Sequence, residues 1–242
     1  MRIRYLHSLG EGSDGALPVV FVPGITDVAD EYIETFEELS PRPLIVVEMR
    51  GRGGSDSPPT GYSAAEQADD VEAVLADAGV DRFHLMTFSR GTTPALEVAL
   101  RRPGRVVTVS MGDYPAAEIA LPASFVESMW GSRWRGRPMP ERVERHVLEQ
   151  IQVASADRDL AGGLAALGIP VLMAWGSEGG LLTEERRLSH RTALRDLELV
   201  TVEGSGHDIF RPDRRAYPRA VADFIDRRAG SADPAVPAPG VA

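Results

Sequence analysis

Short, continuous apolar runs alternate with longer amphipathic stretches over most of the chain. The runs have the length of strands and are nearly all followed closely by glycine, a pattern typical of strands buried on both faces of a parallel sheet. They occupy 18–24, 43–51, 82–89, 105–113, 169–176 and 197–207. The stretches 63–79 and 92–102 have helical spacing. Strands separated by helices predict an α/β fold, with a mostly parallel, doubly wound sheet and helices on both faces.

Residues 115–160 interrupt this alternation. The segment is too long for a simple strand-to-helix connection and contains two tryptophans and a helical stretch. We expect it to form a small helical cap over the site; a surface excursion with its own small core is the alternative. The last segment, 229–242, is rich in Pro, Ala and Gly, which predicts a disordered tail after a single domain spanning 1–228.

The composition of the chain argues against several classes of function. The formal net charge of −10 argues against binding to nucleic acid or to anionic membranes. The chain has no cysteine, which excludes disulfides and thiol chemistry, and its five histidines are scattered, so we expect neither a metal nor a cofactor. The N-terminus lacks the apolar core of a signal peptide, and no apolar run approaches the ~20 residues of a membrane helix. We therefore expect a cytoplasmic protein, whose oligomeric state the sequence does not indicate.

The strongest chemical signal is TFSRG (87–91), which lies between an apolar run and a helical stretch. A nucleophile elbow has the pattern G-x-S-x-G, because small residues on both sides let the chain turn sharply and present the serine. Here Thr87 replaces the first glycine and Gly91 is retained. Ser89 would also lie at a helix N-terminus, where free N–H groups favour negative charge. An ordinary N-cap serine is the structural alternative.

Further segments, taken with TFSRG, resemble the α/β-hydrolase family. They are VVFVPGITD (19–27), EMRGRGGSDSP (48–58) and GSGHDIFRPD (204–213), and their order matches that of the family. Pro23 stands where the family usually has the His of a His-Gly turn, and Glu48 replaces the Asp of its Asp-x-Arg-Gly-x-Gly-x-Ser turn. The resemblance covers nearly every core element and implies the α/β-hydrolase fold, with Ser89 as the nucleophile.

His207 is the predicted general base. It follows an apolar run, lies in a glycine-flanked loop, and comes last in the family's chain order of Ser, acid and His. A neutral imidazole accepts the serine proton and later returns it to a leaving group. The other histidines lack this setting, so we expect structural or surface roles for His7, His84, His146 and His190.

Two carboxylates compete for the role of the acid that orients His207. The family usually has a Gly-x-x-Asp turn after the strand predicted at 169–176, but here Gly179 occupies the acid's position, and Glu178 precedes it. Some members place the acid after the preceding strand, where this chain has Asp113. The spacing from Ser89 to Asp113 is similar to that in haloalkane dehalogenases with such a shifted acid. We favour Asp113 and keep Glu178 as the alternative.

The same resemblance implies the groups that contact a substrate. The N–H groups of Ile25 and Arg90 would form the oxyanion hole, next to Gly24 and Thr26. Large apolar side chains of the cap are expected to hold the apolar portion of a small-molecule substrate. These side chains are Phe125, Met129, Trp130 and Trp134.

The sequence thus predicts a serine hydrolase that cleaves an ester, lactone, thioester or similar acyl bond through an acyl-serine intermediate. The same residues are also compatible with other functions. These are acyl transfer or cyclisation, hydrolysis of a carbon–carbon bond, and a non-catalytic ligand receptor.

Overall fold

The main structural feature is a mixed sheet of seven strands in a computed structural model that describes residues 1–10 and 15–229. In the described residues the strands are β1 (Tyr5–His7), β2 (Val19–Val22), β3 (Leu44–Val47), β4 (Phe83–Phe88), β5 (Val106–Gly112), β6 (Ala117–Glu118), β7 (Arg133–Trp134), β8 (Arg137–Pro138), β9 (Arg158–Asp159), β10 (Val171–Gly176) and β11 (Leu197–Val202). The main sheet has the order β1-β3-β2-β4-β5-β10-β11. Only β1 is antiparallel to its neighbour.

Helices cover both faces of this sheet. The described helices are α1 (Ile33–Leu39), α2 (Ala64–Asp77), α3 (Thr92–Arg101), α4 (Phe125–Trp130), α5 (Arg145–Ala154), α6 (Ala161–Leu167), α7 (Glu184–Ala193) and α8 (Ala216–Ala229), of which α4 and α5 belong to the insertion after β5 and not to the faces of the sheet. One apolar core joins the sheet to α2, α3 and α6, and a second joins its other face to α1 and α8. The central strands β2, β3 and β4 are buried along their whole length, which explains why they contain hardly any polar residue.

The insertion after β5 begins and ends in one short ladder. Strands β6 and β9 pair antiparallel, with Ala117 opposite Asp159, so the two ends of the insertion lie together. Between them lie α4, the β7–β8 hairpin and α5. The insertion has its own apolar cluster, to which Val126, Met139 and Val147 belong.

The predicted fold class is confirmed, and all six predicted strands are present as β2, β3, β4, β5, β10 and β11. Two runs are shorter than predicted, because β3 ends at Val47 and β11 at Val202, and the chain continues as turns. The sequence analysis missed β1, a three-residue edge strand with partly exposed side chains. The insertion is also less helical than expected, since only 145–154 of its second half is α-helix.

The C-terminal segment and the possibility of a membrane-spanning helix were also considered in the sequence. The tail predicted at 229–242 lies outside the described residues, apart from position 229, where α8 ends. Among the described helices, none combines the length and the apolar character that crossing a bilayer requires.

Candidate active site

The chain turns sharply at Ser89, between β4 and α3. A short 3₁₀ turn over Ser89–Gly91 joins the strand to the helix, and Ser89 has φ +50°, in the left-handed region that side chains other than glycine rarely adopt. A Cβ at Gly91 would lie 2.1 Å from the carbonyl oxygen of Pro23, so only glycine permits this close approach. This strained strand-to-helix turn is the geometry of a nucleophile elbow.

Thr87 replaces the usual first glycine of the elbow without leaving a polar group unpaired. Its side chain is fully buried, and its hydroxyl lies 2.8 Å from that of Thr92 in the first turn of α3. The carbonyl of Thr87 accepts a hydrogen bond of 2.9 Å from the Tyr217 hydroxyl. The larger residue is therefore accommodated by a buried hydroxyl pair next to the elbow.

The structure brings His207 into contact with Ser89. His207 lies in the loop after β11, and its Nε2 is 2.9 Å from Ser89 Oγ. Its ring stacks on Phe88 with 5.3 Å between centroids and lies 6.0 Å from the ring of Trp134. Aromatic rings on two sides thus restrict the orientation of the imidazole.

Asp113 completes a continuous hydrogen-bonded series with these two residues. Phe88 pairs with Gly112 in the parallel β4–β5 ladder, so Ser89 and Asp113 leave the sheet side by side. The Asp113 side chain is fully buried, and its Oδ2 lies 2.6 Å from His207 Nδ1. Asp113 also has a positive φ, +44°.

Backbone N–H groups hold the Asp113 carboxylate in place. The amide of Leu181 donates to Oδ2 at 2.9 Å, and that of Leu182 donates to Oδ1 at 3.1 Å. A Cβ at Gly180 would lie 2.1 Å from Oδ2, so a glycine is required where this loop passes over the carboxylate. The loop that usually carries the acid of the family here supplies hydrogen bonds to an acid from the preceding strand.

Glu178, the alternative acid, is not brought to His207. Its side chain is exposed, and its carboxylate accepts a hydrogen bond from the neighbouring Ser177 hydroxyl at 3.3 Å. Its backbone N–H is bonded to the Ser205 carbonyl. The turn geometry therefore directs the backbone of Glu178, and not its carboxylate, toward the histidine loop.

The loop after β2 lies opposite the elbow. The N–H of Gly24 donates to the buried carboxylate of Asp27 at 3.0 Å, whereas no described residue accepts a hydrogen bond from the N–H of Ile25. Arg52 braces the loop from behind, donating from Nε to the Ile25 carbonyl at 2.8 Å. Burial lowers the pKa of Arg52 to about 10, so its guanidinium remains charged at neutral pH.

A pocket of about 360 Å³ opens above Ser89. Residues predicted from the sequence line it together, namely Gly24, Ile25, Thr26, Ser89, Arg90, Phe125, Met129, Trp134 and His207. Tyr114, Leu121, Met139 and Leu181 add to its walls. The exposed lining is mostly apolar, although Asp27, Ser132 and Arg133 also border the pocket.

Trp130, which the sequence analysis also assigned to the pocket, does not line it. Phe125 and Met129 are four residues apart and share one face of α4, whereas Trp130 is rotated by about 100° from Met129. Trp130 packs against the apolar cluster of the insertion, and the guanidinium of Arg145 lies 5.8 Å from its ring centroid.

The other histidines that the structure buries have structural partners. His84 is hydrogen-bonded to Thr108 at 3.0 Å, and burial lowers its pKa to about 4, so it is neutral at physiological pH. His190 accepts from the N–H of Ala116 at 2.9 Å. Within residues 1–10 and 15–229, no three His, Asp or Glu side chains are grouped as metal ligands.

Three residues near the site were not predicted from the sequence: Asp27 in the loop after β2, and Arg135 and Arg142 in the insertion. Asp27 lies within the VPGITD segment, where its distance of three residues from Gly24 is the only signal of its hydrogen bond to that backbone. Arg135 lies at a hairpin turn, and nothing in the sequence pattern indicates that its side chain is buried.

Comparisons with known proteins agree with this architecture. A family model for the alpha/beta hydrolase fold matches residues 18–111. N-formylmaleamate deformylase from Pseudomonas putida is 27% identical over 93% of this chain and 93% of its own length. 2-(Acetamidomethylene)succinate hydrolase from Mesorhizobium japonicum is 26% identical, over 86% of this chain and 87% of its own.

Solved structures extend the likeness to three dimensions. An esterase from Exiguobacterium antarcticum, 19% identical, superposes with a TM-score of 0.74 and covers 93% of this chain and 95% of its own. At that identity the likeness concerns the fold alone. The family match, the related hydrolases and the sheet order together establish that this chain belongs to the α/β-hydrolase fold family and is a hydrolytic enzyme of that type.

Proposed function

We propose that this protein is a serine hydrolase that cleaves an acyl bond of a small molecule with an apolar portion. The observation that carries the proposal is the series Ser89 Oγ to His207 Nε2 at 2.9 Å and His207 Nδ1 to Asp113 Oδ2 at 2.6 Å, at the base of an apolar pocket. Nucleophile, base and orienting acid need this mutual geometry.

The chemistry follows from the positions of these groups. Ser89 Oγ attacks the acyl carbon while its proton passes to His207 Nε2, and the carbonyl electron pair moves onto oxygen. The tetrahedral intermediate then collapses, and His207 returns the proton to the leaving group. A water molecule, deprotonated by His207, next attacks the acyl-serine and releases the acid and free Ser89. Asp113, fully buried, keeps the Nδ1 proton in place and stabilises the imidazolium.

The developing oxyanion needs donors that point at the same spot. We assign this role to the N–H groups of Ile25 and Arg90, because Ile25 has no competing acceptor among the described residues and Arg90 begins the turn after the nucleophile. Thr26 is a third candidate, since its side chain is buried, lines the pocket and has no hydrogen bond to another described residue. Gly24 N–H is already bonded to Asp27 and contributes through the shape of the loop.

An ester is the first substrate class to test, because the apolar pocket suits an aliphatic or aromatic acyl group. Hydrolysis of an N-acyl compound is a second candidate, favoured by the names of the two relatives, a deformylase of an N-formyl amide and a hydrolase of an acetamido compound. A panel of p-nitrophenyl esters, lactones, thioesters and N-acyl compounds, with products identified by mass, separates these classes. It also separates hydrolysis from acyl transfer and from carbon–carbon cleavage. Absence of turnover across the panel would contradict the proposal and favour a receptor.

Truncation of pocket residues should change substrate preference. We expect Phe125→Ala to raise KM for p-nitrophenyl esters of medium chain length more than for the acetate, because it removes apolar contact area from the pocket wall. Trp130→Ala is the matched control from the same helix, expected to lower the melting temperature with little change in chain-length preference. Equal changes of preference in both variants would contradict the lining of the pocket described above.

Gly180→Ala should impair turnover through Asp113. The added Cβ would overlap Asp113 Oδ2 and displace the carboxylate from His207, so we expect kcat to fall by about 100-fold. Gly162→Ala is the matched control, because its Cβ would meet no atom within 4 Å and it lies in α6. Alanine there should leave kcat unchanged and stabilise the helix slightly. A fully active Gly180→Ala enzyme would count against Asp113 as the orienting acid.

A further inference from the structure

The β7–β8 hairpin has an unusual residue at its turn. Arg135 and Gly136 have φ values of +48° and +81°, a pattern that favours Asn-Gly or Asp-Gly. Among the described residues, the other non-glycine positions with positive φ are Ser89 and Asp113. Such strain persists where surrounding contacts enforce it, and it is concentrated at functional sites.

The Arg135 side chain connects the hairpin to the histidine loop. It is only 6% exposed and forms a two-pronged hydrogen bond with Asp208, from Nε and Nη2, each at 2.8 Å. Asp208 directly follows His207. The guanidinium also contacts Glu31 at 3.1 Å and lies 5.0 Å from the ring centroid of Tyr32. Burial lowers the pKa of Arg135, but the hydrogen bond to Asp208 and the nearby acidic groups outweigh this and raise it, so the group stays charged.

The preceding residue, Trp134, connects the hairpin to the loop after β2. We call this segment the oxyanion loop, because it carries Ile25, whose N–H is a proposed oxyanion donor. Trp134 Nε1 donates to Asp27 Oδ1 at 2.8 Å. The other oxygen of Asp27 accepts from Gly24 N–H at 3.0 Å and from the Tyr32 hydroxyl at 2.6 Å. A Cβ at Gly24 would lie 2.6 Å from this oxygen, so the loop is closely fitted around the carboxylate. The conformation of Gly24 fixes the direction of the next amide, that of Ile25.

Arg142, which follows the short 3₁₀ turn after β8, binds the same Glu31 as Arg135. Its side chain is 1% exposed and binds both oxygens of Glu31 at 2.7 Å. Buried ion pairs contribute little net stability, because desolvation offsets the attraction, but removing one partner strongly destabilises the rest. An array of this kind therefore indicates that a particular placement of the hairpin is required.

We propose that Trp134 and Arg135 are positioning residues, through which the hairpin aligns the oxyanion loop by Asp27 and the His207 loop by Asp208. This inference rests on the proposed function above. The insertion then has two roles. Phe125 and Met129 supply pocket wall, and the hairpin, whose Trp134 also lines the pocket, sets the geometry of groups that act on every substrate, including small ones.

The test uses Arg135→Met in the full chain, with p-nitrophenyl acetate as the substrate. We expect kcat per folded molecule to fall by about 100-fold with KM within about two-fold, because misplacement of reacting groups by ~1 Å has effects of that order. Asp208→Asn should produce a similar loss, and the double variant should be little worse than either single one. Arg137→Met is the matched control, since Arg137 is exposed and, among the described residues, its side chain pairs with Glu141 alone. It should change kcat by less than about two-fold.

Trp134→Phe tests the connection from the hairpin to Asp27. It also provides a second test of the proposal if Arg135→Met does not fold. It keeps an aromatic ring on Phe88 but removes the donor to Asp27, so kcat for p-nitrophenyl acetate should fall by about ten-fold. The melting temperature should fall slightly as well, because the buried Asp27 carboxylate loses one hydrogen bond. Full kcat in folded Arg135→Met and Trp134→Phe, or additive losses for Arg135→Met and Asp208→Asn, would overturn the positioning role. A wild-type protein that neither hydrolyses esters nor reacts with fluorophosphonate would instead contradict the proposed function itself.

Discussion

Replacing Ser89 by alanine is expected to reduce ester turnover by roughly 10⁴- to 10⁶-fold, because the variant cannot form the acyl-enzyme intermediate. The fold should be preserved, since alanine keeps a Cβ at a position whose φ of +50° is already enforced by the elbow. Steady-state kinetics measures the loss of turnover. Loss of the burst phase with p-nitrophenyl esters, and loss of labelling by a fluorophosphonate probe, measure the loss of the nucleophile.

Ser110→Ala is the matched control for this experiment. Ser110 lies in β5, is fully buried, and its hydroxyl has no hydrogen-bond partner among the described residues. Removing an unpaired buried hydroxyl should be neutral or slightly stabilising and should leave turnover and labelling intact. Equal labelling of wild type and Ser89→Ala would show that the probe reacts elsewhere and that Ser89 is not the nucleophile.

The fold could be predicted from the sequence because the buried strands consist almost entirely of apolar residues. Runs such as 19–22 and 44–47 lie between helices on both faces, so nearly every side chain must be apolar, and the alternating pattern that marks half-buried strands is absent. Strand β1 escaped prediction for the opposite reason. It is a short edge strand whose side chains are partly exposed, and its register is set by pairing with β3.

The positions of Ser89 and His207 followed from local motifs, whereas the choice between Asp113 and Glu178 did not. Asp113 follows β5 and Glu178 follows β10. The sequence does not indicate which of the two loops brings its carboxylate to His207. The structure separates them through the register of β5 against β4, the positive φ of Asp113, and the backbone N–H groups of Leu181 and Leu182. The two hydrogen bonds join residues 68 and 69 positions apart in the chain.

The hairpin of the insertion was the least predictable part of the site. A pattern-based interpretation assigns Arg135 to a solvated turn, since arginine is rarely buried without a partner. Its partners, Glu31 and Asp208, lie in loops that only tertiary folding brings together. The error over Trp130 has a simpler origin: the sequence placed it in the cap with other large apolar residues, but indicated neither the helix over Phe125–Trp130 nor the face of it that contacts the pocket.

The choice of acid leads to the second large expected effect. Asp113→Asn should reduce kcat by about 10⁴-fold, because it removes the charge that stabilises the imidazolium and disfavours the required tautomer of His207. Asparagine tolerates the left-handed backbone of this position, so the main chain need not change. Stability should also fall, by about 1–3 kcal/mol, because both carboxylate oxygens accept backbone N–H groups and an amide offers only one oxygen. Rates are therefore expressed per folded molecule, with the folded fraction measured by circular dichroism.

Glu178→Gln is the matched control, and the comparison decides between the two acids. The Glu178 side chain is exposed and its carboxylate is bonded to Ser177, so its replacement should change kcat by less than about two-fold. Measuring both variants at the pH optimum and about two pH units above it adds a second criterion, because hydroxide can take the Ser89 proton in place of the weakened base and should partly restore Asp113→Asn alone. A crippled Glu178→Gln enzyme beside an active Asp113→Asn enzyme would reverse the assignment. Losses in both would mean that the two carboxylates are coupled, and the double variant would then measure the coupling.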